Sequence, residues 1–194
     1  MRQMTPLKAW PALGGFDVSI GSCRLAEVTR FGLLSLAWPH DAEPEFRQAL
    51  ADASGIDLPP CGTIAADPGG DVRLLRMTVD HAYMLFESGA VERTHSIFSS
   101  LAQSIYVTEL ADALTVLRLQ GDQTTDVLAR ICMLDLSGTS LTTGCVARTR
   151  FEHISVVVVH EAPSRFLLMC GRSYARSFQH DLEDRMSSVA ALAH

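Results

Sequence analysis

Gly121 and Asp122 stand at a corner in the stretch LRLQGDQTTDVLARICMLDL, where an alternating apolar run gives way to a helical pattern. A strand, a glycine and a helix in succession can hold a phosphate, because the unpaired N–H groups of a helix N-terminus attract anions. A phosphate loop, however, needs several glycines to wrap the anion. Here there is one, no Lys-Ser/Thr pair follows it, and Asp122 and Asp126 already occupy the first turn. The corner therefore reads as architecture, with Asp122 as the N-cap of the following helix.

The remaining chemistry-bearing residues are scattered. His40, His81, His95, His153, His160, His180 and His194 include no pair at the i, i+4 spacing of a helical zinc site. The HEAP stretch at His160 lacks the second histidine of a metalloprotease helix. HDLED, residues 180–184, reads as the solvated face of a helix rather than a metal site. Cys23, Cys61, Cys132, Cys145 and Cys170 form no CxxC pair and are odd in number, which fits neither a zinc knuckle nor a full disulfide framework. Cys132 and Cys170 lie in apolar runs and read as small buried hydrophobes, whereas Cys145, beside Gly144, is the thiol expected to be most exposed. No GxSxG or other nucleophile signature is present. Arg172 is open to two readings, a contact to a carboxylate on a partner chain or a surface charge. No catalytic, cofactor-binding or metal-ligating residue is assigned.

The elements that would position such residues are clearer in the second half. LTVLRLQ alternates, with Leu117 and Leu119 on one face and Arg118 on the other. Val127, Leu128 and Ile131 form the buried stripe of the next helix. CVARTRF, ISVVVVH and RFLLMC read as three strands, turned at Glu152-His153 and at EAPS. Ser173 then caps a terminal helix that carries Tyr174, Phe178, Leu182 and Val189 inward. In the first half, SCRLAEVTRFGLLSLAWP is strand-like, broken at Gly32, and Asp41 caps a helix with Phe46 and Leu50 inside. VRLLRMTV and AYMLFE pair as strands near Asp80-His81. A helix runs from Ala90 towards Gln103. The expected fold is α+β: two packed plait-like halves with mainly antiparallel sheets and helices on one face. The division is an N-terminal arm at 1–20, a first half at 21–108 and a second at 109–194, in one compact subunit.

Composition narrows the function. The 194 residues are 47% hydrophobic and 20% charged, which suits a folded core rather than disorder. A formal charge of −6 with no basic stripe gives no support to nucleic-acid binding. The N-terminus lacks the apolar core of a signal peptide. The run ISVVVV falls far short of the ~20 apolar residues a membrane helix needs. The expected compartment is the reducing cytoplasm, with no membrane partner. Leu33, Leu34, Leu36 and Trp38 crowd one early segment; some of that surface must line the core, and apolar surface beyond what the core can use would mark a permanent interface.

From Asp112 and Thr115 through LRLQG, DVLARICMLDL, TTGCVART and RSYA, the second half resembles the gamma subunit of heterotetrameric sarcosine oxidase. The first half agrees more loosely, through LPPCG and MTVDHAYMLFE. Three positions depart from the family pattern: Asp122 where a proline is usual, Glu109 as the acid before the strand, and Tyr83 where a tryptophan is usual. The resemblance implies a fold related to the glycine-cleavage T-protein. It also implies a non-catalytic, structural subunit of a complex with alpha, beta and delta partners that oxidatively demethylates sarcosine. FAD, FMN, NAD and tetrahydrofolate would be held by those partners, with none on this chain. Two alternatives stand beside it. One is a folate-dependent aminomethyl transferase-like protein, which a chain of this length suits less well. The other is a gamma-like subunit serving another N-methyl amino acid such as N-methylglutamate.

Overall fold

The computed structural model describes residues 10–87, 96, 97, 99–101, 105–136 and 141–192. Its strands are β1 (Asp17–Ile20), β2 (Cys23–Glu27), β3 (Phe31–Ala37), β4 (Ile64–Ala66), β5 (Val72–Arg76), β6 (His81–Glu87), β7 (Tyr106–Glu109), β8 (Leu114–Gly121), β9 (Val146–Phe151), β10 (Ile154–Ala162) and β11 (Arg165–Gly171). The helices are α1 (Glu43–Ser54), α2 (Thr124–Ala129) and α3 (Ala175–Leu192). Residues 96, 97 and 99–101 are also helical, while most of the stretch expected to be a helix from Ala90 to Gln103 lies outside the described residues.

Two sheets result, and every pairing between strands is antiparallel. One has six strands in the order β1-β2-β8-β11-β10-β9, the other five in the order β4-β5-β6-β3-β7. Strict alternation along the strands divides the interior into three apolar zones. Ile154, Val156 and Val158 of β10 pack with Phe166, Leu168 and Cys170 of β11 against Val127, Phe178 and Leu182 of α2 and α3. On the opposite faces, Val157, Val159, Leu167 and Met169 meet Leu33, Leu75, Tyr83 and Leu85 of the other sheet. Beyond that sheet, Leu34, Leu36, Met84 and Phe86 cover Phe46 and Leu50 of α1, joined by Ile97 and Leu101. The layers run helix, sheet, sheet, helix. Each sheet thus has helices on one face and the other sheet on its second.

Several local expectations change. β1 and β2 pair into the six-stranded sheet, next to β8, rather than forming an arm and the start of the first half. The break in the early strand falls between Glu27 and Phe31, and Gly32 is paired inside β3, opposite Phe86. None of the three expected caps forms. Asp122 is exposed and precedes Gln123, the residue at the cap position of α2, where no side chain caps. Asp41 and Ser173 each lie within a short 3-10 turn (His40–Ala42 and Arg172–Tyr174) that leads into α1 or α3. The tighter turns supply i→i+3 backbone bonds, so the first α-helical N–H groups are met by backbone rather than side chains. Tyr174, on that second turn, is 48% exposed rather than inward. Of the two readings of Leu33, Leu34, Leu36 and Trp38, core and interface, the first holds, since all four are buried within this chain.

Candidate functional site

The Gly121 corner is closed by backbone. Gly121 has φ +131°, and a Cβ there would fall 2.0 Å from the Ser22 carbonyl oxygen and 2.8 Å from the Cys23 Cα. Its N–H donates to the Ser164 carbonyl at 3.0 Å. The glycine is needed because β2 crosses β8 closely at this point, pairing Cys23 with Gly121. No space for a ligand follows from it.

The described histidines do not converge. His81 lies 2.9 Å through Nε2 from Ser35 Oγ and packs edge-on to Tyr83. Burial, then the Arg148 guanidinium, lowers its pKa. His153 faces Tyr174 across 6.5 Å, and His180 lies 3.7 Å from Asp184 on the exposed side of α3. His160 stacks on Phe166 at 4.3 Å and donates from Nδ1 to the Leu141 carbonyl at 2.8 Å. That bond fixes the proton on Nδ1, and Nε2 is buried with no partner among the described residues. The side chain of His40 and the whole of His95 and His194 lie outside the described residues. Among the described residues no three His, Cys, Asp or Glu side chains gather as a metal site.

The thiols are dispersed as well. Cys61, not Cys145, is the exposed one; Cys145 is half-buried, 3.4 Å from Thr142 Oγ1. Cys170 is buried as expected, and burial pushes its thiol up to about 12. Cys132 is only half-buried, though burial raises its pKa too.

Several concavities among the described residues are lined by charged side chains, and two of them bear on the site. The first, of about 300 Å³, is lined by Glu27, Glu109, Asp112, Thr115 and Arg172 and by Trp10. Asp112 and Thr115, which opened the sequence resemblance, therefore share one surface with Glu109. Thr115 is buried, and its hydroxyl has no partner among the described residues. Glu27 is already engaged, accepting from the N–H groups of Leu13 and Gly15 at 3.0 and 2.8 Å. Arg172 donates to the Trp10 carbonyl, so it ties the N-terminal segment to the turn before α3.

The second, of about 550 Å³, opens at one edge of the layer between the sheets and is lined by Arg73, Arg118, Arg165 and Glu161. Alternation dictates this grouping. Residues 116 and 118 of β8, 165 and 167 of β11, and 73 and 75 of β5 all face the space between the sheets. Glu161 lies between His160 and Ala162, where the β10–β11 register shifts. A bulge of this kind re-aims side chains at a sheet edge. The Glu161 side chain is only 4% exposed, and it takes a hydrogen bond from Arg73 across the gap. Arg118 Nε donates to its second oxygen at 3.1 Å, and Arg165 Nε lies 3.2 Å from the same oxygen. Burial works to raise the Glu161 pKa, but the guanidinium groups of Arg73 and Arg118 outweigh it and hold the carboxyl below the usual glutamate range. Sequence reasoning placed Arg118 on the face opposite Leu117 and Leu119 but did not connect it to Glu161. Only the pairing of Glu161 with three separate strands brings that cluster together.

The sequence matches no family model, and no curated protein matches it. Solved structures do match. A chain of the heterotetrameric sarcosine oxidase from Corynebacterium sp. U-96, in complex with pyrrole 2-carboxylate, superposes with a TM-score of 0.77 at 23% identity. That match covers 89% of this chain and 88% of the other. The glycine cleavage system aminomethyltransferase T from Bartonella henselae superposes with a TM-score of 0.61 at 15% identity. The chain has a T-protein-like fold. It covers 86% of itself in that second match but only 47% of the aminomethyltransferase, so it spans about half of that protein's length. No helix among the described residues is long and apolar enough to cross a membrane.

Proposed function

We propose that this chain is a non-catalytic subunit of a heterotetrameric sarcosine oxidase-like complex, in the gamma position. The complex would oxidatively demethylate sarcosine, N-methylglycine, and pass the one-carbon fragment to tetrahydrofolate. Alpha, beta and delta subunits would be its partners, in the cytoplasm, and would carry FAD, FMN, NAD and the folate. The observation that carries the reading is end-to-end overlap: 88% of the sarcosine oxidase chain is matched, against 47% of the aminomethyltransferase. The residues quoted for the gamma resemblance, from Asp112 to the terminal helix, supply β8 to α3 of this fold.

The test is reconstitution. Co-expressed with its partner subunits, the chain should copurify in fixed stoichiometry, and its omission should reduce assembly before it alters turnover per assembled complex. Purified alone, it should be colourless and oxidise nothing. His153→Ala, His180→Ala and Cys145→Ala should each leave turnover of the assembled complex within a few-fold. A loss of several hundredfold from one of them, with assembly intact, amounts to more than ~3 kcal/mol of transition-state stabilisation and would overturn the reading. Tight binding of tetrahydrofolate by the isolated chain would favour the aminomethyl transferase-like alternative. Turnover of N-methylglutamate in preference to sarcosine would reassign the substrate while keeping the subunit role.

A further inference from the structure

The inner face of the five-stranded sheet extends beyond the part that the other sheet covers. Leu33 and Leu85 on that face are buried against the six-stranded sheet. Two further rows lie beyond them. Tyr83, Ser35 and Thr108 stand opposite one another across β6, β3 and β7, and His81, Ala37 and Tyr106 form the next row. Directly paired residues share a face, and residues two apart along a strand share it too. Tyr83 is buried, Ser35, Ala37 and His81 are half-buried, and Thr108 and Tyr106 are exposed, Tyr106 at 73%. The result is a polar shelf with an aromatic ring at its outer corner. Tyr106 lies two strands and two residues from Tyr83, about 12 Å, the span of an extended segment of about four residues.

Arg148 of β9 reaches the shelf from the other sheet. It donates to the Tyr83 hydroxyl at 2.6 Å, and its guanidinium lies 5.9 Å from the centre of the Tyr83 ring. Arg76 is placed over an aromatic ring in the same way, 6.0 Å from that of Trp38, but it also pairs with Glu43. Arg148 pairs with no carboxylate among the described residues, and neither does Arg150, on the same side of β9. Asp80, in the turn before β6, accepts from the Thr78 hydroxyl at 2.7 Å and is not paired with Arg148. A neutral phenol thus holds the Arg148 guanidinium in place while its charge and the rest of its donor fork stay available. We propose that the shelf is where this chain docks on a partner subunit, receiving an acidic segment that sets a carboxylate on Arg148 and an apolar side chain against Tyr106. The inference rests on the subunit reading above. Two unpaired arginines beside the shelf, in a chain of net charge −6, select an acidic occupant. Tyrosine and arginine are the side chains that most often anchor an interface. A guanidinium already held by Tyr83 loses little further freedom on docking.

Competition during assembly tests this. The partner subunits are co-expressed with equal amounts of the wild-type chain and a variant under different tags, and the ratio of the two is measured in the purified complex. Arg148→Gln and Tyr106→Ala should each be under-represented by about tenfold or more. Arg176→Gln, an equal change of charge on the exposed side of α3, should stay within about twofold of wild type. Tyr106 is exposed, so Tyr106→Ala should keep the wild-type melting temperature, which separates lost docking from lost folding. The proposal is overturned if either Arg148→Gln or Tyr106→Ala is incorporated as well as wild type, or if Arg176→Gln is excluded as strongly as they are. A dimer of the isolated chain that Arg148→Gln dissociates, read by size-exclusion chromatography, would make a second copy the occupant and also overturns it. A wild-type chain that enters no complex overturns the subunit reading and this inference together; a wild-type chain that assembles beside equally incorporated variants removes this inference alone.

Discussion

Gly121 and its neighbour Asp122 carry opposite expectations, and the difference is steric. A Cβ at 121 would overlap the Ser22 carbonyl, and φ +131° is a conformation that side chains resist. Gly121→Ala should therefore cost about 2–4 kcal/mol by chemical denaturation, from overpacking and backbone strain together. Asp122 is exposed and caps nothing, so Asp122→Ala should change stability by no more than about 0.5 kcal/mol. Glu161 is the third sensitive residue. Glu161→Gln removes the buried carboxylate charge that Arg73, Arg118 and Arg165 contact and should cost about 3–5 kcal/mol in urea unfolding. Because the folded carboxyl titrates below its usual range, its contribution is complete above that range and is lost as pH falls through the depressed value. The melting temperature of wild type should thus drop more steeply on the acid side than that of Glu161→Gln. Equal slopes would mean that Glu161 is not stabilised by its arginines.

The strands show why period-2 reading worked at the level of elements and where it stopped. ISVVVV and RFLLMC are apolar on both faces, and in the fold both faces are covered, one by α2 and α3 and one by the other sheet. Leu167→Ala and Leu168→Ala, on opposite faces of β11, should each cost about 2–5 kcal/mol; a near-neutral result for either would mean that its face is open to water. The turns at Glu152-His153 and after Ala162 were legible because a hairpin is a local object with local turn chemistry. The helix starts were not. Capping signals name residues that can cap, but the chain enters α1 and α3 through 3-10 turns, and the backbone there does what a side chain would otherwise do. The aromatic and leucine-rich segment at 33–38 stays open between core and interface in the sequence for a related reason. Its hydrophobicity was plain, but a sequence does not say that a second sheet waits to cover it.

At the scale of the whole molecule, β1 and β2 leave the first half and seal the six-stranded sheet beside β8. Deleting residues 1–27 would expose the hydrogen-bonding edge of β8 and the faces of Leu117 and Leu119 that Leu25 packs among. The truncated chain should aggregate, read by size-exclusion chromatography; a monomeric, cooperatively unfolding product would show the hairpin to be dispensable. The amino-acid sequence by itself determined what is local. It set the alternation of the strands, the apolar stripes of the helices, the hairpins of the second half, the α+β class and the resemblance carried from Asp112 onward. Tertiary structure alone decided which strands are neighbours, that two sheets lie face to face, and that Arg73, Arg118 and Arg165 meet over Glu161. The physical reason is that alternation fixes which face of a strand a residue occupies, while the opposing surface is supplied by residues far away in the chain. Arg73 and Glu161 are 88 positions apart. Their meeting is written in no spacing along the sequence; it follows from the packing of one sheet's inner face on the other.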